Sequence, residues 1–327
     1  MKTTKILAIS LLLSISLFAN DPLPSWNEGS VKESIKEFVL AVTNKSSTDY
    51  VKPEDRIATF DNDGTLWSEQ PIYFQFFFAI YQIKKMAVNH PEWKTTQPFK
   101  AVLEDDFETI KKSGMKGMVK LLTATHSGMS TEEFSKNVKE WMATAKHPRF
   151  KKAYSEMVFQ PMLELLVYLH NNKFKTYIVS GGGIDFMRAW VPDVYGIPLE
   201  QIIGSRGGMK FEMKDGKGIL IKQAKIDFND DKANKPVGIH THIGKQPIAA
   251  FGNSDGDLEM LQYTASGKGK RLMLYVHHTD EKREWAYDRK SHIGKFDKGL
   301  DYALDNNWTV VDMKKDWKVV YPFELKN

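Results

Sequence analysis

Cysteine is absent from the 327 residues of this chain. Its absence excludes a disulfide-bonded scaffold, a thiolate metal site, a cysteine nucleophile and a lipidated N-terminal cysteine. The composition is otherwise that of a globular protein, with 42% hydrophobic and 27% charged residues. Low-complexity tracts, fixed-period repeats and linkers rich in Pro, Gly or Ser are also lacking, which favours one large domain or a domain with an insertion.

Long apolar runs are lacking as well, except at the N-terminus. There Lys2 and Lys5 precede an apolar and serine-containing run at 6–19, which is shorter than the about 20 residues that a bilayer span needs. Ala19 stands before the polar turn at 20–22, as at a signal-peptidase site. We therefore expect cleavage of a signal peptide, residues 1–19, and a soluble periplasmic or secreted protein without stable membrane association. An uncleaved segment would instead anchor the chain.

The charge pattern does not indicate nucleic-acid binding. The formal net charge is +5, and basic residues are interleaved with acidic ones, as where Lys232 and Lys235 follow Asp230 and Asp231. No long basic stripe with interleaved aromatic residues occurs in the sequence. The mild positive balance slightly favours a small anionic substrate.

Short apolar runs that end in polar or glycine-rich loops predict buried parallel strands. The three strongest runs lie at 56–60, 175–179 and 247–251, and two more lie at 271–276 and 308–313. Helical patterns lie between them, for example after Pro161 and before the asparagines at 171–172. The alternation predicts an α/β fold with a doubly wound, Rossmann-like parallel sheet of at least five strands.

Residues 67–159 interrupt this alternation with consecutive helical patterns at 71–88, 97–112, 116–125 and 130–145. The last of these opens with a capping box, Ser-Thr-Glu-Glu. We expect a helical cap domain at 67–159, inserted into an α/β core formed by 20–66 and 160–327. A smaller insertion at 206–225, with a Lys-Asp-Gly-Lys turn at 214–217, predicts a β-hairpin.

Functional groups are concentrated directly after the three strongest strands. Their loops read Asp-Asn-Asp-Gly-Thr at 61–65, Ser-Gly-Gly-Gly at 180–183 and Gly-Asn-Ser-Asp-Gly-Asp at 252–257. Ligands of open α/β sheets bind at the carboxyl ends of the strands, so these loops are the expected site. Two carboxylates two residues apart, Asp61 and Asp63, can enter the same crevice, one as nucleophile and the other as proton donor and acceptor.

In this order the segments resemble the four motifs of the haloacid dehalogenase superfamily, with Asp-x-Asp-Gly-Thr at 61–65, a strand-end serine, a lysine and an acidic loop at 252–257. The resemblance covers the expected mature chain apart from details of the cap. Dehalogenases of the superfamily lack the second aspartate and P-type ATPases carry threonine there, so Asp63 implies phosphatase chemistry. The implied catalytic residues are Asp61, Asp63 and Lys235, and the implied phosphate contacts are Thr65, Ser180, Gly181 and Lys235. Lys235 is preferred to Lys232 because it precedes a proline at a helix entry.

The resemblance also implies a magnesium ion, because a phosphate dianion beside carboxylates needs a cation. The superfamily binds Mg²⁺ through the nucleophile, the backbone carbonyl of the second aspartate and acids of the fourth motif. The corresponding residues are Asp61, Asp63, Asn253 and Asp257. Asn253 stands where many relatives have aspartate, which leaves open whether Asn253, Asp255 or Asp257 is the direct ligand.

Several histidines and two residues after the nucleophile loop lie outside the four motifs. The histidine pairs at 240–242 and 277–278 lack a third spaced ligand, so we assign them no zinc and expect solvated or capping side chains. His126 in the cap is a candidate substrate contact. Trp67 and Glu69 lie just past the nucleophile loop, where they are candidates to line the leaving-group pocket.

The sequence thus predicts an exported, Mg²⁺-dependent phosphomonoesterase acting on a small phosphorylated metabolite through an aspartyl-phosphate. Helical caps at this position resemble those of phosphoserine phosphatase and phosphorylcholine phosphatase. An aromatic entrance suits a quaternary ammonium, and a broad-specificity acid phosphatase fits equally well. The alternatives are a non-catalytic protein that binds a phosphorylated ligand, and a phosphotransferase with an acceptor other than water.

Overall fold

A seven-stranded sheet organises residues 21–325, the part of the chain that the computed structural model describes. The expected signal peptide at 1–19 lies outside the described residues. The strands are β1 Ile57–Phe60, β2 Lys175–Gly183, β3 Ile202–Lys214, β4 Lys217–Phe228, β5 Ala249–Gly252, β6 Leu272–His277 and β7 Thr309–Asp312. Their spatial order is β4-β3-β2-β1-β5-β6-β7, and every neighbouring pair is parallel except β3 and β4. The predicted α/β fold with a doubly wound parallel sheet is confirmed.

Helices cover both faces of this sheet and form the block after β1. They are α1 Ser30–Thr43, α2 Phe74–Met86, α3 Phe99–Leu103, α4 Phe107–Lys112, α5 Gly114–His126, α6 Thr131–Thr144, α7 Gln160–Asn171, α8 Ile184–Arg188, α9 Val191–Tyr195, α10 Asn234–Ile243, α11 Leu258–Ala265, α12 Lys298–Asp305 and α13 Met313–Asp316. Between residues 21 and 325, no helix combines the length and the apolar character needed to cross a bilayer.

Strand β1 lies at the centre of the sheet, and its position creates the crevice that holds the site. It pairs with β2 on one side and with β5 on the other, because the chain adds β2 to β4 on the first side and then crosses over to add β5 to β7 on the second. All four of its residues are buried, as expected for a strand with helices on both faces. The Phe60 and Phe251 rings stack with their centroids 4.2 Å apart and fix β1 against β5. The carboxyl ends of β1, β2 and β5 therefore meet at the switch point of the sheet, where ligands bind in such folds.

The helices α2 to α6 follow β1. Helices α2 to α5 share a separate apolar cluster, which includes Phe76, Ile83, Trp93, Phe99 and Leu121, whereas the buried residues of α6 belong to the main core. The single helical segment expected at 97–112 is two helices, because Asp105 between α3 and α4 has a left-handed backbone with φ 56°. Helix α6 begins with the expected capping box: the Ser130 hydroxyl accepts a hydrogen bond from the Glu133 amide, and the Glu133 carboxylate accepts one from the Ser130 amide.

The hairpin differs from the expectation in length. The turn lies at 214–217 as expected, but β3 begins at Ile202 and β4 ends at Phe228, so the strands extend beyond 206–225. The reason is that Ile202 and Ile203 pair with β2 in the core sheet, and the strand continues without a break into the hairpin. On β4, the Lys222 amide donates to the Met129 carbonyl at 3.0 Å, which joins the hairpin to the segment between α5 and α6.

Candidate active site

A cavity of about 540 Å³ lies over the carboxyl ends of β1, β2 and β5, below the helices α2 and α5 and beside the β3–β4 hairpin. Its lining contains most of the residues that the sequence indicated. They are Asp61, Asp63, Ser180, Gly181, Lys235 and Asp257, together with the candidates Glu69 and His126. Three segments that are far apart in the sequence therefore converge on one cavity.

Lys235 connects two of these loops. It lies in the first turn of α10, only 2% of it is exposed, and its Nζ donates to Asp61 Oδ1 at 2.7 Å and to Asp257 Oδ1 at 2.5 Å. Burial alone would lower the pKa of Lys235, but the charges of Asp257 and Asp61 outweigh burial and hold the pKa above its usual value. The ammonium is therefore charged at neutral pH. Lys232, the alternative, is not part of the cavity lining.

The site carries more carboxylates than Lys235 can neutralise. Burial, and next the charge of Asp257, hold the pKa of Asp61 well above its usual value, against the opposing effect of Lys235. Glu69 is buried too, and burial together with the charges of Asp63 and Asp61 raises the pKa of its carboxyl group well above the usual value. A cation or a proton added to this cluster would therefore relieve repulsion.

Asp63 is held by the indole of Trp67. Trp67 Nε1 donates to Asp63 Oδ1 at 2.7 Å, and the fully buried Trp67 ring stacks on Trp190 with a centroid separation of 4.1 Å. Burial raises the pKa of Asp63 to about 6, against the lowering effect of the hydrogen bond from Trp67. The carboxyl group is thus oriented by a rigid aromatic pair and faces the same cavity as Asp61.

The glycine-rich loop expected at 180–183 is the irregular end of strand β2, where the pairing with β3 shifts its register. The Gly182 amide donates to Ser180 Oγ at 3.1 Å, and the Gly183 amide donates to Gln75 Oε1 at 2.7 Å. A Cβ atom at Gly182 would lie 3.4 Å from Asp63 Oδ2, so the loop packs directly against the acid. The amide hydrogens of Gly182 and Gly183 therefore already have acceptors within the protein, and Gly181 lines the cavity.

Thr65 and Asn253 lie behind the cavity and are not part of its lining. The Thr65 hydroxyl donates to Asn253 Oδ1 at 3.1 Å, and Asn253 Nδ2 donates to Glu69 Oε1 at 2.8 Å. The structure therefore does not bring Thr65 to the place expected of a phosphate contact. Its hydroxyl supports Asn253, because the turn after Asp63 directs it towards the loop after β5.

The two aspartates of the third loop have different surroundings. Asp255 Oδ1 accepts from the amides of Asp297 and Gly299, both at 2.8 Å, and so binds the start of α12. Asp257 Oδ2 accepts from the amides of Asn253 and Ser254, both at 3.0 Å, while its Oδ1 faces Lys235. Of the two aspartates, only Asp257 lines the cavity.

His278 supports the nucleophile loop from behind, a role that its sequence context did not reveal. Its Nε2 lies 2.7 Å from the Gly64 carbonyl and its Nδ1 lies 3.0 Å from Glu284 Oε2. The expectation of a solvated or capping side chain is wrong for His278, of which 2% is exposed. The residue follows β6 directly, and the parallel pairing of β6 with β5 carries it to the buried side of the loop. A doublet of histidines in a sequence contains no signal for such a long-range partner.

The donor groups of the cavity fit Mg²⁺. Asp61, Asp63 and Asp257 offer oxygen atoms, and Lys235 alone does not offset their charge. Within the described range 21–325, no group of three or more His, Asp or Glu side chains is arranged so that it could hold a metal ion by itself. Mg²⁺ does not require such a group, since it commonly takes one or two carboxylates and completes its shell with water and substrate phosphate.

Asp230, which precedes Lys235 by five residues, makes the stability of the folded protein depend on pH. It is fully buried, and neither of its carboxyl oxygens has a hydrogen-bond partner among the described residues. Burial raises its pKa to about 7, against the lowering effect of Lys235. The unfolded carboxyl group ionises near 3.8 and the folded one resists ionisation up to about 7, so the free energy of unfolding falls as pH rises through this window.

We therefore expect Asp230→Asn to stabilise the protein at pH 8 by roughly 2–4 kcal/mol, and by clearly less at pH 5, because the amide has no charge to bury. Thermal unfolding at the two pH values measures this difference. Asp215→Asn, in the exposed hairpin turn, is the matched control and should change neither value. An equal change in melting temperature at both pH values for Asp230→Asn would contradict the assignment.

Comparisons with known proteins agree with this geometry. The family model described as haloacid dehalogenase-like hydrolase matches residues 58–262, a range that includes all the cavity carboxylates described above. No curated protein sequence matches the chain.

Several solved structures are similar at low identity. A protein of unknown function from Bordetella pertussis Tohama I is 14% identical with a TM-score of 0.50, covering 79% of this chain and 98% of that chain. A functionally unknown protein from Anaerococcus prevotii DSM 20548 is 19% identical with a TM-score of 0.48, covering 80% and 89%. A phosphoserine phosphohydrolase-like protein from Francisella tularensis is 15% identical with a TM-score of 0.40, covering 80% and 95%. At these identities the likeness concerns the fold alone.

Proposed function

Since the chain belongs to the haloacid dehalogenase-like hydrolase family, we propose that it is a phosphomonoesterase that forms an aspartyl-phosphate on Asp61. The observation that carries the proposal is the arrangement of two carboxyl groups on one cavity floor. Asp61 is bound to the Lys235 ammonium, and Asp63, two residues later, is fixed by Trp67. This arrangement supports attack by Asp61 and proton transfer by Asp63.

The proposed reaction has two displacement steps. In the first, a carboxylate oxygen of Asp61 bonds to phosphorus while the bond to the leaving oxygen breaks, and Asp63 gives its proton to that oxygen. In the second, the Asp63 carboxylate takes a proton from water as the water oxygen bonds to phosphorus and displaces the Asp61 carboxylate. Phosphate leaves, and both carboxyl groups return to their starting forms.

The other cavity residues neutralise the charge of the phosphoryl group and hold it in position. The Lys235 ammonium offsets the charge of Asp61 and of the phosphoryl oxygens, and the Ser180 hydroxyl and the Gly181 backbone line the same space. Because Asn253 does not line the cavity, we assign the metal contacts first to Asp61, Asp257 and the Asp63 carbonyl. Mg²⁺ bound there would stabilise the negative charge shared by phosphate and carboxylates.

We propose a small phosphorylated metabolite as the substrate. The cavity above the carboxylates has apolar walls that include Phe76, Leu122, Phe134 and Phe186. Phosphorylcholine is less favoured than the sequence suggested, because Lys222 Nζ lies 4.7 Å from the centroid of the Phe134 ring and already occupies one cation–π position. Turnover of phosphorylcholine at a higher kcat/KM than phosphoserine or an aryl phosphate would reverse this preference.

Export is a further part of the proposal and depends on the apolar run at 6–19. Fractionation of cells that produce the full chain, with N-terminal sequencing of the product, tests it. We expect a periplasmic or secreted chain that begins at Asn20. A cytoplasmic chain that retains residue 1 would contradict the export proposal and leave the chemistry untouched.

The activity itself is tested by phosphate release from p-nitrophenyl phosphate, measured with Mg²⁺ and with EDTA. We expect turnover with Mg²⁺ and a fall of about 10²-fold or more with the chelator, because the carboxylates of the site then repel the phosphate. Folded protein that releases no phosphate, yet is stabilised by orthophosphate, would identify a binding protein instead. Phosphate recovered on added alcohols rather than in solution would identify a phosphotransferase.

A further inference from the structure

A chain of four hydrogen bonds links the glycine-rich loop to the cap. The Gly183 amide donates to Gln75 Oε1 at 2.7 Å, and Gln75 Nε2 lies 3.1 Å from His126 Nε2. His126 Nδ1 lies 2.8 Å from Thr125 Oγ1, which donates to the Leu121 carbonyl at 2.9 Å. Gln75 belongs to the first turn of α2, and the other cap members belong to the last turns of α5.

The hydrogen bond from the Gly183 amide determines which atom donates and which accepts in the next bonds of the series. A backbone amide only donates, so the atom of Gln75 that faces Gly183 is the carbonyl oxygen and the atom that faces His126 is the amide nitrogen. His126 Nε2 must then accept and carry no proton. Its Nδ1 carries the proton and donates to Thr125, whose own hydrogen is directed to a helix carbonyl.

The electrostatic surroundings of His126 agree with this direction. Burial, and next the charge of Lys222, lower the pKa of His126 to about 3. The ring is therefore neutral at physiological pH. A proton on Nε2 would face the NH₂ group of Gln75 and would force the amide to rotate, which breaks the bond to Gly183.

Gln75 also fills the space beside the loop. A Cβ atom at Gly183 would lie 2.6 Å from Gln75 Nε2, and one at Gly182 would lie 3.7 Å from Gln75 Oε1 and 3.4 Å from both Asp63 Oδ2 and Ser180 Oγ. The loop is thus packed between the cap amide on one side and the proposed proton donor on the other. A shift of Gln75 would move Ser180 and the loop relative to Asp63.

We propose that Gln75 and His126 form a directional hydrogen-bond relay, the cap relay, through which the helical cap positions the loop at 180–183 against the phosphoryl group. Gln75 is a positioning residue that acts through the Gly183 amide, and His126 is a positioning residue that acts through Gln75. The kinetic consequence rests on the proposed phosphatase function, whereas the relay itself is a property of the folded protein.

The kinetic test uses Gln75→Leu, His126→Leu and the double variant, with kcat and KM measured on p-nitrophenyl phosphate. We expect Gln75→Leu to lower kcat/KM by about 10- to 100-fold, because loss of geometry at a reacting centre has costs of this order. His126→Leu should lower it by about 10-fold, and the double variant should be no worse than Gln75→Leu, since the two side chains act as one unit. His126→Gln, whose oxygen can accept near the position of Nε2, should restore most of the loss.

Helix α2 supplies a matched control. Gln82 is buried on the same helix, and its Nε2 has no hydrogen-bond partner among the described residues. Gln82→Leu is therefore expected to leave kcat and KM unchanged. Additive losses in the double variant, or a loss with Gln82→Leu equal to that with Gln75→Leu, would overturn the relay.

Two readouts do not depend on turnover. The ring nitrogen shifts of His126, measured by NMR on the wild-type protein, should show a neutral ring with its proton on Nδ1, and a proton on Nε2 would overturn the proposal. Orthophosphate affinity, measured by calorimetry with Mg²⁺, should fall about 10-fold in Gln75→Leu and stay unchanged in Gln82→Leu. If the wild type does not hydrolyse p-nitrophenyl phosphate, the proposed function fails, and these two measurements alone decide the relay.

Discussion

Asp61→Asn is expected to lower the turnover of p-nitrophenyl phosphate by about 10⁴-fold, because the amide cannot form the covalent intermediate. The substitution preserves the shape of the side chain and an oxygen that can accept the hydrogen bond from Lys235 Nζ. Since burial and the charge of Asp257 already disfavour the ionised form of Asp61, we expect no loss of thermal stability. Steady-state assays and thermal unfolding of the same preparation measure both quantities.

The matched control for this prediction is Asp255→Asn. Asp255 lies in the third loop, but its Oδ1 accepts two backbone amides at the start of α12, and an asparagine oxygen can do the same. Its turnover should stay within about 3-fold of the wild type, as expected for a carboxyl group that does not face the cavity. Asp61→Asn with turnover near that of this control would contradict the nucleophilic role of Asp61.

Lys235→Met is expected to have the largest effect on stability, about 3–5 kcal/mol in the free energy of unfolding, together with loss of turnover. The reason is the burial of all three partners: removal of the ammonium leaves Asp61 and Asp257 close together without a cation. Urea unfolding at neutral pH measures the cost. Addition of Asp61→Asn to Lys235→Met should restore part of the stability, because one of the two unpaired carboxylates is then gone.

Lys32→Met serves as its control. Lys32 is equally buried, with 1% of its side chain exposed, but its partners Asp21 and Glu28 are 37% and 73% exposed and remain hydrated when the lysine is lost. We expect a smaller cost there and normal turnover. Equal destabilisation by Lys235→Met and Lys32→Met would argue against repulsion between Asp61 and Asp257 as the cause. So would a failure of Asp61→Asn to restore stability to Lys235→Met.

The core of the fold could be predicted because its signals are local. The apolar runs at 56–60 and 175–179 coincide with most of β1 and with the first part of β2, and the polar segments after them lie at the carboxyl ends of those strands. The full length of the hairpin could not be predicted, since nothing in the sequence separates the buried start of β3 from its exposed end. That boundary is set by pairing with β2, which is a tertiary contact.

The site residues that could be predicted from the sequence are those that belong to a recognisable motif. The cavity lining includes Asp61, Asp63 and Lys235, each of which stands at the end of a strand or the start of a helix in the sequence pattern. The supporting residues Gln75 and His278 could not be predicted, because each acts on a backbone group more than a hundred positions away. Hydrogen bonds of this kind follow from packing and have no periodicity or spacing in the sequence.

Detection of the phosphorylated enzyme tests the nucleophilic role of Asp61 directly. Wild-type protein is quenched with acid during turnover of p-nitrophenyl phosphate, digested, and mapped by mass spectrometry. An aspartyl-phosphate mechanism predicts the added mass of one phosphoryl group on the peptide that contains Asp61, removable by hydroxylamine, and no added mass in Asp61→Asn. Rapid phosphate release without any modified peptide, and with the same rate in Asp61→Asn, would contradict an aspartyl-phosphate mechanism.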